Sequence, residues 1–385
     1  MEYAIPYCFV GILMLFLGLK LSPCNDKIAN IYTQRYILFL IWIYFIGFRG
    51  FIVTDWKEYY PRFNEFPTFF NSSISYCLSF ASNHHWETGY VVFAMILKSL
   101  GANYFIYQAI SLIIDIVILT YIFDEYCNSK YLPFYFFIYY VFQGFVIETN
   151  LMRNSKAIML FLISIKYINQ KDFKRFFLLN LLGYFFHKST IFYFPLYFVL
   201  NKKFSTKFLW LVFLIGNIIF LMHIKIIGGA VDIAVKLLQG TSFAPMLRWY
   251  GLTSGNFTGY DLGLGFLERT LTFVMTLKLQ NKILKKDINL LPFFNLMYLY
   301  IFTYLYLSEI NILTSRISML FVITYPVIYG NIYDKLSKKN KIIFLIFVGA
   351  YGILKMLVQC DEPNYLYENY LLTEPNFSKR LLLTH

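Results

Sequence analysis

Residues 176–200 read FFLLNLLGYFFHKSTIFYFPLYFVL, and this stretch decides which kind of fold the chain adopts. The runs from Phe176 to Phe186 and from Ile191 to Leu200 are almost wholly apolar. Between them lie His187 and Lys188, an ionisable pair that is costly to place in hydrocarbon. The stretch therefore predicts a membrane segment in which something other than hydrophobic packing favours a charged centre.

The rest of the chain has the composition of a membrane protein. It has 385 residues, of which 58% are hydrophobic and 14% are charged, and its mean hydropathy is +0.56. Apolar runs of about 17–20 residues recur, which is the length that crosses a hydrocarbon core. The sequence predicts an all-α, polytopic membrane protein. The first run, Tyr3 to Leu19, lacks the flanks of a secretory signal and is predicted to be a retained helix.

The net charge of +13 does not indicate a nucleic-acid partner, because the lysines lie in short loops between apolar runs. Such loops are cytoplasmic under the positive-inside rule. The lysine-rich loops are residues 20–35, 124–130, 166–175, 202–207, 278–286 and 335–341. Spans fit between them at about 3–19, 36–53, 103–123, 131–147, 154–168, 207–227, 263–279, 291–308, 315–333 and 342–359.

The stretch around His187 lies between two of these cytoplasmic loops, so we expect it to enter the membrane and return. Each arm has about 15 residues, or roughly 22 Å of helix, and the bend near His187 would lie in the outer half of the membrane. Residues 89–101 are too short to cross, and we interpret them as a re-entrant or interfacial helix. The total is about 10–13 membrane segments. Residues 1–385 are predicted to form a single membrane domain, with outer loops 54–102 and 228–262 and an outer tail 360–385.

Arginines recur at the predicted outer membrane edge, where positive-inside sorting does not favour them. They are Arg49, Arg153, Arg248 and Arg316. A guanidinium group holds several N–H donors in a rigid plane, a geometry that suits phosphate oxygens. Several guanidinium groups in one outer cavity would therefore bind a membrane-borne pyrophosphate. The alternatives are snorkelling for Arg49, a structural ion pair with Glu148 for Arg153, and a solvated loop for Arg248.

Tryptophans and carboxylates accompany these arginines on the outer side. Trp56 follows Asp55, and Trp86 precedes Glu87. A flat ring beside a hydrogen-bonding charge suits a sugar, although an interfacial aromatic belt would place tryptophans there as well. His84 and Glu87 are spaced like metal ligands, but no further ligands follow at a convincing spacing, so no metal site and no cofactor are predicted. The five cysteines form no Cys-x-x-Cys pair.

The order of these motifs resembles the EpsG-type branch of the Wzy-like polysaccharide polymerases. The motifs are FRGFIVTDWKEYY at 48–60, WETGY at 86–90, LMRNSKA at 151–157, FFHKST at 185–190 and SRISMLF at 315–321. The resemblance runs from about Arg49 to Tyr333 and leaves out the tail from Cys360. It implies a GT-C-like fold and a bacterial inner-membrane enzyme with its active site on the periplasmic side. Carried over by position, the functional residues are Arg49, Asp55, Glu87, Arg153, His187, Lys188 and Arg316.

The resemblance further implies a glycosyltransferase that joins oligosaccharide repeat units carried on undecaprenyl pyrophosphate. Donor and acceptor would both be lipid-linked, and a chain-length regulator and a flippase are candidate partners. In the predicted mechanism the arginines bind the departing pyrophosphate. His187 takes the proton from the acceptor hydroxyl, because an unperturbed imidazole titrates near neutral pH, and Asp55 and Glu87 are the alternative bases. An O-antigen ligase, a flippase or exporter of the same lipid-linked glycan, and a membrane O-acyltransferase remain alternatives.

Overall fold

The computed structural model describes residues 2–20, 28–83, 86–240, 262–309 and 317–383, together with Ala244 and Thr314. Within these ranges the regular structure is helical, and one isolated antiparallel bridge joins Arg49 to Asn369. The prediction of an all-α, polytopic membrane protein is confirmed. Two compact units make up the chain, residues 1–197 with 325–385 and residues 198–324. The single domain predicted from sequence stays a prediction.

Unit 1, residues 1–197 with 325–385, contains most of the helices. In chain order they are α1 (Ile5–Lys20), α2 (Ile28–Trp42), α3 (Trp56–Glu65), α4 (Ile74–Asn83), α5 (Thr88–Ser99), α6 (Tyr104–Tyr126), α7 (Leu132–Tyr139), α8 (Phe145–Asn150), α9 (Met152–Asn169) and α10 (Phe173–Phe186). Five-residue π-helical segments follow α2 (Ile43–Gly47) and join α7 to α8 (Tyr140–Gly144). After unit 2 the chain continues with a helix at Thr324–Lys335 and one at Lys338–Gln359, and ends with a short helix at Phe377–Leu383.

Four helical stretches of the described chain are long and apolar enough to cross a membrane. They are Tyr104–Tyr126, Ser129–Asn150, Ile288–Leu307 and Lys338–Gln359. Shorter apolar helices lie at Ile5–Gly18, Thr88–Ser99 and Thr206–Leu221. Several predicted spans are therefore shorter or interrupted helices, and the predicted count of about 10–13 segments stays a prediction.

The predicted outer loop 54–102 contains three helices, α3 to α5, and its own aromatic core. Phe51, Trp56, Tyr59, Phe63 and Tyr90 are all at most 3% exposed in this cluster. The Lys98 ammonium group of α5 donates to the carbonyls of Phe63, Asn64 and Phe66 at 2.6–3.0 Å. These carbonyls lie at the end of α3, where no further helical turn follows to supply N–H donors, so Lys98 acts as a C-terminal cap.

The bend near His187 has one helical arm and one irregular arm. The first arm is α10, and it ends at His187, whose backbone is extended (φ −158°, ψ 128°). The second arm, for which a helix was expected, consists of two 3₁₀ segments, Lys188–Phe192 and Phe194–Phe198. Pro195 explains part of this difference, because proline disfavours helix at the residue before it and has no N–H to donate. The returning chain packs on α9, where the Tyr193 ring stacks on Phe161 at 3.8 Å.

The tail contacts the segment that follows α2. The Gly50 N–H donates to the Glu368 carbonyl at 2.8 Å, and the Tyr370 N–H donates to the Phe48 carbonyl at 2.8 Å. A side chain at position 50 would not fit, because its Cβ atom would lie 2.7 Å from the Cβ atom of Glu368. The tail from residue 360 onward is thus part of unit 1 and packs beside the aromatic core of the 54–102 region.

Unit 2, residues 198–324, is built around α11 (Thr206–Leu221), α12 (Ile226–Leu237), α13 (Leu264–Leu284) and α14 (Leu291–Leu307). Ser205 caps α11 by accepting a hydrogen bond from the Phe208 N–H, and Pro292 starts α14, where its missing N–H is not needed. Phe213 of α11 stacks on Phe273 of α13 at 3.9 Å. Most of the predicted outer loop 228–262 lies outside the described residues.

Candidate functional site

Arg153 is the centre of a polar and aromatic cluster on unit 1. It lies in the first turn of α9, and its Nη1 atom is 2.6 Å from Oε2 of Glu87, the residue that precedes α5. Its Nε–H donates to the Tyr59 hydroxyl at 3.2 Å. The guanidinium carbon lies 4.7 Å from the ring centroid of Trp86 and 5.6 Å from that of Tyr59. Arg153 is held on several sides, yet 28% of its side chain is exposed, against 9% for Glu87.

Close packing of α5 against α10 brings this cluster towards His187. Gly89, two residues after Glu87, lies so close to the end of α10 that an added Cβ atom would be 2.9 Å from the Phe185 carbonyl oxygen. Glycine is needed here because any side chain would push α5 away from α10. The start of α5 and the end of α10 are therefore fixed next to each other.

His187 is joined to α9 through a serine. Its Nδ1 atom lies 2.7 Å from the Ser189 hydroxyl oxygen, and the Ser189 hydroxyl donates to Oδ1 of Asn154 at 3.0 Å. Asn154 is the residue after Arg153. The chain of contacts from His187 through Ser189 to Asn154 thus orients the imidazole relative to the helix that carries the arginine.

Asp55 is fixed to the same end of α9 by an asparagine. Oδ1 of Asn150, the last residue of α8, accepts hydrogen bonds from the N–H groups of Asp55 at 2.8 Å and of Thr54 at 3.2 Å. Leu151 alone separates α8 from α9. The 54–55 turn is therefore held three residues from Arg153, and the half-buried Asp55 belongs to the same region.

The phenol of Tyr59 stays neutral at this site. Burial raises its pKa, although the positive charge of Arg153 acts in the opposite direction. A neutral phenol accepts the Arg153 hydrogen bond without neutralising the guanidinium charge. Glu87 is therefore the charged partner of Arg153 in this cluster.

Two predicted site residues are buried, and their side chains donate hydrogen bonds to backbone carbonyls. Arg49 is 2% exposed, and its guanidinium donates to the carbonyls of Ile46 at 2.8 Å and Thr149 at 3.2 Å. Trp56 is 3% exposed, and its indole N–H donates to the Val53 carbonyl at 3.1 Å. In this structure Arg49 joins the π-helical segment after α2 to α8, and Trp56 packs in a core. Their ligand-binding roles find no support here and stay predictions.

The remaining predicted residues lie apart or outside the described residues. Lys188 is exposed at the start of the 3₁₀ segment after His187. Arg248 and Arg316 lie outside the described residues, as does His84 of the sequence HHWE. In the described part of the chain no three side chains of histidine, cysteine, aspartate or glutamate are grouped to hold a metal ion.

The alternative pairing of Arg153 with Glu148 is wrong, because Arg153 pairs with Glu87. Glu148 is buried and accepts a hydrogen bond from the Tyr139 hydroxyl at 2.6 Å. A separate buried ion pair joins Lys156 to Asp115 at 2.5 Å, between α9 and α6. Proximity in sequence suggested Glu148 as an alternative partner, but the carboxylate that contacts Arg153 comes from a distant part of the chain.

Sequence reasoning missed several residues of the site. Asn150, Asn154 and Ser189 act through single hydrogen bonds between elements, and nothing in the composition marks them. Arg269 is not part of this site; it belongs to unit 2, where its position inside the predicted span 263–279 was a signal that the sequence offered. Its guanidinium carbon is 3.9 Å from the ring centroid of Tyr304, and its Nε–H donates to the Tyr300 hydroxyl at 3.1 Å.

Comparison with protein families identifies a match over most of the chain. The family model described as EpsG family matches residues 32–371, which begins earlier than the resemblance seen in the motifs and includes the tail as far as Leu371. No curated protein matches the chain, and no solved structure matches it.

Proposed function

The chain belongs to the EpsG family, and we propose that it polymerises lipid-linked oligosaccharide repeat units at the outer face of the bacterial inner membrane. Family membership and the apolar helices make it a membrane protein of polysaccharide biosynthesis. The donor, the leaving group and the residue roles below are our proposal. The observation that carries it is the partly exposed Arg153 guanidinium, held by Glu87 and Trp86 on the helix to which His187 is also tied.

Arg153 binds the pyrophosphate of the donor in this proposal. When the bond from the anomeric carbon to the pyrophosphate oxygen breaks, its electron pair stays on the pyrophosphate. A preorganised cation at this point stabilises the developing negative charge by roughly 3 kcal/mol in a site with little water. Glu87 and Trp86 support this role because they fix the guanidinium before the ligand arrives, so that little reorganisation is needed.

His187 is the proposed base. The hydroxyl oxygen of the acceptor sugar forms the new bond to the anomeric carbon, and the hydroxyl proton passes to the imidazole. The proposal requires the tautomer in which Nδ1 carries the hydrogen and donates it to the Ser189 hydroxyl oxygen, which in turn donates to Asn154. In that tautomer Nε2 has the lone pair that receives the proton. Asp55 is proposed to orient the acceptor through its carboxylate, since Asn150 already fixes its backbone. Glu87 is a positioning residue for Arg153 and not the base, because its carboxylate is 9% exposed and paired.

Reconstitution tests this function directly. Purified protein in liposomes is supplied with undecaprenyl-pyrophosphate-linked repeat units, and the products are separated on a gel. A ladder of lengthening glycan is expected from the native protein, and no ladder from Arg153→Ala. Transfer of single units to a lipid A-core acceptor without a ladder would identify a ligase. Movement of unpolymerised units across the bilayer would identify a flippase, and either result would overturn the proposal.

A further inference from the structure

Unit 2 contains a cavity that the proposed function does not use. It has a volume of about 340 Å³ and lies between the start of α11, the end of α13 and the start of α14. That volume is within the range of small-ligand sites in proteins. The lining includes polar residues from two loops that the lysine pattern predicts to be cytoplasmic, residues 202–207 and 278–286.

Four polar side chains around the cavity supply donors. Lys203 and Lys285 line it from separate loops, and Gln280 and Asn281 line it from the end of α13. Each lysine carries a full positive charge and three N–H donors, and each carboxamide adds two more. The nearby carboxylate of Asp287 accepts a hydrogen bond from the Asn289 N–H and does not line the cavity. The polar part of the lining therefore suits an anion.

Gln280 shows that the cavity is a built site and not a gap between loops. Its side chain is 7% exposed, and its Oε1 atom accepts a hydrogen bond from the buried Tyr298 hydroxyl at 2.7 Å. Because the oxygen is occupied, the two N–H donors of the carboxamide remain for a ligand. Among the described residues no hydrogen-bond partner to Nε2 is found, so this amide can donate to a ligand in the cavity.

The helix ends add to the positive potential. Leu209 in the first turn of α11 and Leu291 at the first position of α14 both line the cavity, so two helix N-termini border it. The N-terminus of a helix favours negative charge. Of the other lining residues, Asn295 donates its amide hydrogens to the Leu200 and Lys202 carbonyls. The rest are apolar and include Phe204, Leu284 and Ile288, so the hydrocarbon part of a ligand can contact them.

We propose that this cavity binds the phosphate group of an anionic phospholipid from the leaflet predicted to be cytoplasmic. The lysines and the Gln280 and Asn281 amides contact the phosphate, and the apolar lining contacts the glycerol and the first part of the acyl chains. Basic pockets between helices on the cytoplasmic side are typical sites for anionic lipid headgroups. A free phosphate ion offers the same oxygens but makes no use of the apolar lining.

The test compares two double variants that lose the same charge. Lys203→Gln with Lys285→Gln removes both lysines of the cavity, whereas Lys282→Gln with Lys286→Gln removes two exposed lysines of the same region that do not line it. Full-length protein in detergent is titrated with phosphatidylglycerol, with phosphatidylcholine and with inorganic phosphate. Bound lipid is counted by native mass spectrometry, and the melting temperature is recorded.

Phosphatidylglycerol is expected to bind the native protein and the Lys282/Lys286 variant about equally, and the Lys203/Lys285 variant at least tenfold more weakly. Equal binding to the two double variants would overturn the site. Equal binding of phosphatidylglycerol and phosphatidylcholine would overturn its selectivity for an anion. Stabilisation by inorganic phosphate without binding of phosphatidylglycerol would overturn the lipid assignment.

Gln280→Glu is an independent test at a single atom. The carboxylate still accepts the Tyr298 hydrogen bond, so the fold is expected to persist, but the amide donors are replaced by a negative charge. Binding of phosphatidylglycerol is expected to fall at least tenfold, with an unchanged elution volume in size-exclusion chromatography. Unchanged lipid binding in this variant would exclude the cavity as the site.

Discussion

At the scale of single residues, the Arg153 guanidinium group is held in place by its neighbours and is still partly accessible to a ligand. Glu87, Tyr59 and Trp86 fix its guanidinium, while 28% of its side chain stays exposed. Arg153→Ala is expected to reduce the rate of glycan ladder formation by roughly 10²–10³-fold, the usual effect of removing one preorganised donor from a site of developing charge. The measurement is the initial rate in proteoliposomes with lipid-linked repeat units.

Arg153→Lys is the informative partner of this variant. Lysine keeps the positive charge but lacks the planar guanidinium group. The variant is therefore expected to recover a minor part of the rate of ladder formation that Arg153→Ala loses. The exposed pair Arg62–Glu65 lies on α3 of the same unit, and Arg62→Ala serves as the control with little expected change. Ladder formation at the native rate in Arg153→Ala would remove Arg153 from the mechanism.

His187 gives the second prediction at this scale. His187→Ala is expected to reduce ladder formation by roughly 10²–10⁴-fold, the range found for positioned general acids and bases. Binding of the lipid-linked donor is expected to change little, because the imidazole acts on the acceptor hydroxyl. Both quantities are measured on the same proteoliposomes. Tyr184→Phe, an exposed change on the same helix, is the control, and a full-length ladder from His187→Ala would reject the imidazole as the base.

At the scale of secondary-structure elements, the approach of α5 to α10 determines where Glu87 lies. Gly89→Ala is expected to destabilise the protein by about 1–3 kcal/mol, because the new Cβ atom would lie 2.9 Å from the Phe185 carbonyl oxygen. Movement of α5 would also shift Glu87 away from Arg153, so ladder formation should fall as well. Thermal unfolding and the polymerisation rate are measured together.

Gly229→Ala is the matched control for that change. It is the same glycine-to-alanine substitution, made in helix α12 where an added Cβ atom meets nothing within 4 Å. The stability of the protein should therefore stay the same or rise slightly. If Gly89→Ala behaves like Gly229→Ala, α5 and α10 do not pack as closely as described.

The tail gives a further prediction at the element scale. Asn369 is 2% exposed, and its Nδ2–H donates to the carbonyl of Tyr44 at 2.7 Å. Asn369→Ala removes this hydrogen bond of a buried side chain and leaves the partly buried Tyr44 carbonyl without its donor, so it is expected to cost about 1–3 kcal/mol. The melting temperature of the purified protein reports this loss. Glu374→Ala changes an exposed residue of the same tail and should leave it unchanged, and an equal melting temperature for both variants would contradict the tail packing.

At the scale of the whole molecule, apolar run lengths and lysine-rich loops were enough to predict an all-α membrane protein, since both follow from the solvation of side chains. The motifs WETGY and LMRNSKA placed Glu87, Trp86 and Arg153 in one candidate site, and the structure brings these three together. Arg49 and Trp56 came from the same kind of reasoning and lie in packed interiors. A sequence position at a membrane edge does not show whether a side chain points to a ligand or to a neighbouring helix.

The contacts that the sequence did not reveal are those between distant segments. The return of the tail to residues 48–53 depends on backbone hydrogen bonds, which carry no compositional signal. The same holds for the Asn150 contact with the 54–55 turn and for the 3₁₀ arm after His187. Single hydrogen bonds contribute about 1 kcal/mol each, so a pattern of hydrophobic residues cannot predict which pair forms.

Membrane orientation gives the last prediction, because the proposed reaction requires the Arg153 cluster to face outward. The tail packs beside that cluster in unit 1, so Thr373 must lie on the outer side if the proposal is correct. The lysine-rich loop 335–341 is predicted to lie on the inner side. In a background without the five native cysteines, Thr373→Cys is expected to react with a membrane-impermeant maleimide in intact spheroplasts. Lys339→Cys should react only after the membrane is opened. Labelling of Lys339→Cys but not Thr373→Cys in intact spheroplasts would place the arginine, the imidazole and their carboxylates on the cytoplasmic side, where they would not meet an outer-leaflet donor.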